Sequence, residues 1–191
     1  MKIPCPYLLF AGYLFYSLAF NTVKADITKV ELASLPPFCQ ARMGNDANLK
    51  KKWSKILGQS NFTWMNHFCS NLIAKKRCFA IIQKQKRYKC YERLTDHSYT
   101  LEHTSSNFPL RPLIYYEAGD TFMKIEEYGK AEIQFINAIK ANPKFSRPYI
   151  SLSKIYAKQG NETKAIDIIE RGLIKKPSSK ALKKIHKKLI K

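Results

Sequence analysis

Cysteine and histidine are the residues of this sequence whose side chains could do chemistry, and it contains five cysteines and four histidines. Four of the cysteines follow an N-terminal apolar run, namely Cys39, Cys69, Cys78 and Cys90. In an oxidising compartment an even number of cysteines predicts disulfides, and four cysteines allow three pairings. The alternative to disulfides is a metal site built from His67, Cys69 and Cys78. The spacing of these residues matches no zinc motif, and the chain has no C-x-x-C pair. We therefore expect disulfides and no metal.

Helix geometry restricts which of these cysteines can pair. If residues 64–93 form one long helix, Cys78 and Cys90 lie about 18 Å apart along its axis, beyond the reach of a disulfide. Cys69 and Cys78 are also too far apart, at about 13 Å. Only Cys39 can then come from elsewhere, and we favour a Cys39–Cys69 disulfide, whose loop of about thirty residues stabilises the fold by about 3 kcal/mol. Cys78 and Cys90 are left as buried free thiols or as an intermolecular pair.

No catalytic motif accompanies these residues. The sequence lacks G-x-S-x-G, H-E-x-x-H and a phosphate-binding loop. Its histidines are scattered at His67, His97, His103 and His186. A histidine without a partner nucleophile is more often structural than catalytic. The sequence therefore predicts a protein that is not an enzyme and uses no cofactor.

The N-terminus indicates the compartment in which the cysteines fold. Lys2 precedes the apolar run YLLFAGYLFYSLAF, and Val23-Lys24-Ala25 follows it. This pattern predicts a signal peptide over 1–25, cleaved after Ala25, because a transmembrane span needs about 20 apolar residues. We expect a periplasmic or secreted protein that is not integral to the membrane after cleavage. The alternative is an uncleaved anchor, whose orientation the lysines on both sides leave open.

Positive charge is the strongest feature of the composition. The 191 residues include 34 Lys and Arg against 14 Asp and Glu, a net charge of +20, and removal of 1–25 leaves +18. A hydrophobic content of 45% excludes wholesale disorder. The charge predicts an anionic partner, which could be nucleic acid, anionic lipid, acidic polysaccharide or acidic protein. Because the signal peptide places the protein outside the cytoplasm, we do not favour nucleic acid.

The first part of the mature chain divides into two segments. Residues 26–48 are punctuated by Pro36-Pro37 and lack helical periodicity, so we expect an extended arm. Residues 49–109 are basic and compatible with helix, with a turn at 58–61. An apolar stripe predicts a helix over 64–93 that buries one face, followed by a shorter helix over 94–105. The residues of the stripe are Trp64, Phe68, Leu72, Phe79, Ile82 and Tyr88.

Residues 112–177 contain a repeat of 34 residues, which becomes visible when Pro143 is aligned with Pro177. The anchors of the first unit are Tyr115, Ala118, Gly119, Phe122, Ala131, Phe135, Ala138 and Pro143. Those of the second unit are Tyr149, Leu152, Ser153, Tyr156, Ala165, Ile169, Gly172 and Pro177. Large residues spaced two turns apart share one helix face, and small residues let paired helices approach closely.

This pattern resembles the tetratricopeptide repeat, a helix-turn-helix unit. The resemblance implies an all-α fold, a short right-handed α-solenoid, with repeats at 112–145 and 146–179 inside a region spanning 110–191. Gly129 and Gly160-Asn161 suit the turns within the units. Because two repeats cannot close a solenoid core, we expect the preceding helical region and a C-terminal capping helix to complete it. That helix is predicted over 180–191, with Ser178 or Ser179 as its N-cap.

The N-terminal half carries a second resemblance, to secreted or periplasmic tetratricopeptide proteins of proteobacteria with an LPP-Y-C arm. The matching residues are Leu-Pro-Pro-Phe-Cys at 35–39, Trp53, Gly58, His67-Phe68-Cys69 and Arg77. In this resemblance the two cysteines match Cys39 and Cys69. It supports the architecture and the compartment and implies no activity.

Stacked tetratricopeptide units present the first helix of each pair along a concave groove, where the family resemblance places the ligand contacts. The groove residues implied here are Tyr116, Asp120, Lys124, Arg147, Lys154, Lys158, Lys184 and Lys188. Asp120 argues against a clamp for a free C-terminal carboxylate, so we expect a cationic groove for an acidic protein segment or an acidic polysaccharide. The alternative for Lys154 and Lys158 is that they are ordinary solvated helix residues.

These observations predict a non-enzymatic periplasmic or secreted protein that mediates interactions in an envelope assembly. The alternative is a membrane-anchored basic protein of the same repeat class that binds nucleic acid or an anionic lipid surface. It requires the first 25 residues to be retained.

Overall fold

The computed structural model describes residues 27–94 and 98–190, and their regular secondary structure is helical. In chain order the helices are α1 (Lys29–Ala33), α2 (Pro37–Met43), α3 (Ala47–Leu57), α4 (Gln59–Phe79), α5 (Lys84–Glu92), α6 (Ser98–His103), α7 (Arg111–Lys124), α8 (Tyr128–Ala141), α9 (Ser146–Lys158), α10 (Glu162–Lys175) and α11 (Lys180–Leu189). From α7 onward each helix packs against the next. The fold is therefore an all-α solenoid, as predicted. The predicted signal peptide and its cleavage site after Ala25 lie outside the described residues.

The segment predicted as an extended arm is helical instead. Thr28 and Glu31 form a capping box that starts α1. Pro37 occupies the first turn of α2, where a missing N–H costs no helical hydrogen bond. The prediction over 26–48 is wrong because these helices are too short to show periodicity and depend on tertiary packing. Phe38 and Cys39 of α2, for example, are buried in the core.

The single helix predicted over 64–93 is also wrong, because the chain reverses between α4 and α5. No glycine or proline marks the connection at 80–83, so nothing in the local sequence indicates it. Phe79 and Ile82, which the apolar stripe had placed on a buried face, are 72% and 93% exposed. The reversal brings the Cα atoms of Cys78 and Cys90 to 5.5 Å, and the two residues form an intramolecular disulfide. They are neither free thiols nor an intermolecular pair.

The other disulfide joins α2 to α4. Cys39 and Cys69 are fully buried, with their Cα atoms 5.4 Å apart, and they pair as expected. Around them lies an aromatic core in which the rings of Phe38 and Phe68 stack at a centroid distance of 6.3 Å. Ile114 of α7 completes this core, so the first repeat helix is shared by both halves of the described chain.

The repeat anchors have the packing roles that their sizes predict. A Cβ atom on Gly119 would lie 2.7 Å from Cε1 of Phe135, so α7 and α8 can approach closely only with glycine there. Gly172 has the same relation to Tyr149, at 2.9 Å from its Cγ. α8 and α10 each end two residues before the proline of their unit. The two units are therefore built alike.

The turns within the repeat units and the N-cap of α11 agree with the predictions from the sequence, with one exception. Gly160 adopts a left-handed φ of 75° in the turn of the second unit, as expected. In the first unit Glu126 takes that conformation at 64°, and Gly129 lies inside α8, so its predicted turn role is wrong. Ser179 caps α11 by accepting a hydrogen bond from the Leu182 N–H at 3.4 Å.

Candidate partner-binding groove

The first helices of successive units are α7, α9 and α11, and α9 packs against both of the others. With a period of 34 residues, Asp120, Lys154 and Lys188 occupy equivalent positions on these helices. Tyr116 and Lys184 are likewise equivalent, one turn earlier. We call the set of eight predicted groove residues, Tyr116, Asp120, Lys124, Arg147, Lys154, Lys158, Lys184 and Lys188, the groove row.

The acidic end of the groove row is partly neutralised from within the protein, by one lysine. Lys75 of α4 places its Nζ atom 2.7 Å from Glu117 and 2.6 Å from Asp120. Its side chain is only 16% exposed. Burial opposes the charge on Lys75, but the two carboxylates outweigh it and raise the pKa of the ammonium group. Asp120 is therefore half of an internal ion pair rather than a negative contact for a partner.

Sequence reasoning missed Lys75, and no local signal distinguishes it. It is the first residue of the run Lys75-Lys76-Arg77, in which each residue has a different role. The Nζ atom of Lys76 donates to the Ser34 carbonyl oxygen at 2.7 Å. Arg77 forms a bidentate pair with Glu31 at 2.6 and 2.9 Å. The different roles of these three cations follow from how α4 packs against its neighbours.

The ring of Tyr116 lies in a cluster of aromatic side chains. Its ring lies 5.7 Å from that of Phe135 and 5.4 Å from that of Phe145, centroid to centroid. The exposed Arg147 holds its guanidinium 5.9 Å from the centroid of Tyr116, within cation-π range. Burial, with a contribution from Asp120, raises the pKa of Tyr116. The hydroxyl therefore stays neutral at physiological pH, and Arg147 is the charged group at this point of the groove row.

The two lysines of α9 differ in their surroundings. Lys158 donates a hydrogen bond to the Tyr128 hydroxyl, lies 4.7 Å from the centroid of that ring and is 3.8 Å from Glu126. This hydrogen bond to Tyr128 is the largest cause of the raised pKa of Lys158. Lys154 is exposed, and within the described residues its side chain has no ion pair or hydrogen bond. Lys154 is therefore available to a partner, whereas Lys158 braces the turn between α7 and α8.

Lys184 and Lys188 extend the row onto the capping helix. Both are exposed, one turn apart, and α11 contains no acidic residue. The nearby His186 lies 3.0 Å from Glu170 of α10, so that carboxylate is engaged away from the two lysines. Arg147, Lys154, Lys184 and Lys188 consequently form the cationic part of the groove row.

Lys124 lies at a different place, in a cleft of about 370 Å³ between the N-terminal helices and α7. Lys75, Lys76 and Glu117 contribute the other charged groups. Its apolar lining is Leu35, Pro36, Leu72, Phe79 and Tyr91. Sequence reasoning missed this apolar lining, since it forms only when α4 and α5 turn back against α7. We call it the α4–α7 cleft.

Neither a metal-binding cluster nor a membrane-spanning helix is present among the described residues. In the part of the chain that the structure covers, no group of three His, Cys, Asp or Glu residues could hold a metal ion. Among the helices of residues 27–94 and 98–190, none is both long enough and apolar enough to cross a membrane.

Comparisons with known proteins identify the fold class. No protein-family model and no curated protein matches the sequence. Among solved structures, the chain is similar to one in the crystal structure of the APC/C hetero-tetramer Cut9-Hcn1, with a TM-score of 0.50 and 10% sequence identity. The match covers 75% of this chain and 26% of that one, so this chain spans about a quarter of the length of its neighbour. At this identity the likeness concerns the fold, a tetratricopeptide-like helical solenoid.

Proposed function

We propose that the protein is an exported, non-enzymatic scaffold that holds an acidic segment of a protein partner along the groove row. One observation carries this proposal. The two carboxylates of α7, Glu117 and Asp120, share the ammonium group of Lys75 and are mostly buried, whereas the exposed charged side chains of α7, α9 and α11 are lysines and arginine. A surface with charge of one sign attracts a ligand of the opposite sign and guides its approach.

The α4–α7 cleft also restricts the shape of the partner segment that can bind. Its lining combines the ammonium groups of Lys76 and Lys124 with the apolar side chains of Leu72 and Phe79. A segment that carries a large apolar residue next to acidic ones would fill the cleft and pair with the lysines at its mouth. We therefore expect the partner segment to be acidic with an apolar anchor, rather than uniformly acidic.

Export is the second part of the proposal. The two disulfides, Cys39–Cys69 and Cys78–Cys90, support it because such bonds persist in oxidising compartments and are rare in the cytosol. Mass spectrometry of the protein from its native host should find an N-terminus at Asp26. An intact chain that begins at Met1 would contradict export by a cleaved signal peptide.

A pair of charge reversals tests the groove row. In the variant Lys154→Glu with Lys188→Glu, a short fluorescein-labelled peptide rich in Glu and Asp with one Leu should bind about tenfold more weakly by fluorescence anisotropy. The matched control, Lys164→Glu with Lys183→Glu, makes the same change in net charge at exposed lysines outside the groove row. Its affinity should stay within about twofold of the unmodified chain.

Two results would overturn the proposal. Equal weakening in both variants would mean that the peptide responds to total charge and to no particular surface. The second concerns an acidic polysaccharide, for which alginate serves as the probe. If alginate binds at the groove row while the peptide does not, the ligand class is polysaccharide and the protein partner is excluded.

A further inference from the structure

A second basic site lies in the N-terminal half, where α2, α3 and α4 meet. Arg42 of α2 and Lys50 and Lys51 of α3 line one cavity of about 300 Å³. The remaining lining residues are Ser54, Gln59, Phe62 and Thr63. The lining therefore contains three cations and no carboxylate. None of these residues belongs to the groove row or to the α4–α7 cleft.

Arg42 is held in place at this cavity by two contacts. Its Nε atom donates to the Thr63 carbonyl oxygen at 3.3 Å, and its guanidinium lies 5.8 Å from the centroid of the buried Phe62 ring. Within the described residues neither Nη group has a hydrogen-bond partner. An arginine fixed in this way keeps a planar set of donors that suits an anion with several oxygens.

The hydroxyl groups of the cavity are already engaged. Ser54 donates to the Lys51 carbonyl oxygen at 3.0 Å, and Thr63 donates to the Gln59 carbonyl oxygen at 3.0 Å. The donors that remain for a ligand are the Arg42 guanidinium, the two ammonium groups and the Gln59 side-chain amide. Nearly all of the donor capacity is therefore cationic.

The three cations are uncompensated in the part of the chain that the structure describes, where none of them has an ion pair. The nearest acid in the sequence, Asp46, serves as the N-cap of α3 and accepts from the Leu49 N–H at 2.9 Å. Like charges around one cavity repel each other, and a bound anion removes that repulsion. We infer that this cavity binds a phosphate or sulfate group, and we call it the oxyanion pocket.

Titration with inorganic phosphate and inorganic sulfate tests the pocket directly. At constant ionic strength maintained with chloride, ¹H–¹⁵N spectra of the full chain should show saturable shifts centred on Arg42, Lys50, Lys51 and Gln59. The variant Lys50→Gln with Lys51→Gln should weaken the apparent Kd about tenfold, since each lost charge contributes a modest amount. We prefer this variant to Arg42→Gln, because the contacts of Arg42 with Thr63 and Phe62 also support the fold.

The matched control removes two exposed cations elsewhere, Lys84→Gln with Lys89→Gln on α5. It should bind both ions as the unmodified chain does. An equal loss in the control, or the lack of any saturable shift at the pocket, would overturn the inference. The groove variant Lys154→Glu with Lys188→Glu should keep its ion binding. Failure of the oxyanion pocket and failure of the groove row are therefore distinguishable.

Two further probes identify the source of the oxyanion. A heparin fragment presents sulfate on a polysaccharide, and vesicles that contain phosphatidylglycerol present phosphate on a lipid. The physiological source should bind more tightly than the inorganic ions and lose that advantage in Lys50→Gln with Lys51→Gln. If heparin and the vesicles both bind the variant and the unmodified chain equally while the ions remain sensitive, the pocket serves a free ion.

Discussion

Residues 27–108 are held together by two disulfides and a core rich in aromatic rings, whereas residues 111–190 contain no cysteine and depend on small residues between paired helices. Both halves are nevertheless built from packed helices. In the repeat half the contacts are made between neighbours along the chain. In the N-terminal half the stabilising bonds join residues far apart in sequence, such as Cys39 and Cys69. The N-terminal half is thus held by disulfides together with its core, and the repeat half by close packing of helices alone.

Removal of the longer disulfide should have the largest effect on the stability of the N-terminal half. In the variant Cys39→Ala with Cys69→Ala, a loop of 30 residues is no longer closed, and we expect a loss of about 3 kcal/mol in the free energy of unfolding. The shorter pair, Cys78→Ala with Cys90→Ala, closes 12 residues and should cost slightly less, because the stabilisation grows with the logarithm of loop length. Urea unfolding measures both values. Hydrogen exchange should show that α8 to α10 keep their protection longest, and simultaneous loss in both halves would contradict the distinction.

The repeat half should be most sensitive at its close helix contacts. The variant Gly119→Ala places a methyl group against the buried ring of Phe135, and we expect it to cost about 2 kcal/mol. Gly129→Ala is the matched control, because nothing lies within 4 Å of a Cβ atom there. That variant should be neutral or slightly stabilising, since alanine favours helix. Thermal unfolding of the two variants side by side gives the answer, and equal stability would refute the packing role of Gly119.

Lys75 connects the two halves, and its removal should affect both. In Lys75→Met, Glu117 and Asp120 lose their partner while still largely buried, and we expect a loss of about 2 kcal/mol. Adding Glu117→Gln and Asp120→Asn should restore most of this stability, because no unpaired charge remains. Chemical denaturation of the single and triple variants tests the account. A triple variant no more stable than Lys75→Met would show that the lysine acts through packing alone.

The smallest effect is a dependence on pH confined to the N-terminal half. The hydrogen bond from Arg77, assisted by the Thr28 backbone, lowers the pKa of Glu31 from 4.5 to about 2. Since the pKa is lower in the folded state, this stabilisation is complete above about pH 4.5 and is lost as the pH falls towards 2. Glu31→Gln should remove this part of the acid sensitivity, as measured by the unfolding midpoint at several pH values. An unchanged acid dependence in Glu31→Gln would contradict this account.

The sequence predicted the repeat half well because its signals are local. The period of 34 residues, the prolines after α8 and α10 and the N-cap at Ser179 each depend on a few neighbouring residues. The reversal between α4 and α5 could not be predicted, because residues 80–83 contain no glycine or proline and the exposed Ile82 continues an apolar pattern. The Cys78–Cys90 disulfide stabilises that reversal, and the spacing of the two cysteines alone does not indicate that they pair.

The candidate sites, too, could be predicted only in part from the sequence. The register of the repeat predicted the positions of Lys154 and Lys188, which are exposed at equivalent points of α9 and α11. It did not predict that Lys75 pairs with both acids of α7, or that Lys158 is hydrogen-bonded to Tyr128. The oxyanion pocket also escaped sequence reasoning, because its cations come from separate helices. Residue type and spacing indicate which charges exist, and tertiary contacts decide which of them are available.

The ion pairs of Lys75 make the charge of the groove a product of folding. Before α4 docks on α7, Glu117 and Asp120 are two uncompensated negative charges at one end of the groove row. Once Lys75 is in place, one positive charge lies against these two negative charges, so their net charge changes from −2 to −1. The docking of α4 on α7 therefore makes the electrostatic potential at this end of the groove row less negative. The charge of this surface is thus set by the packing of α4 against α7 as well as by the residues of α7 itself.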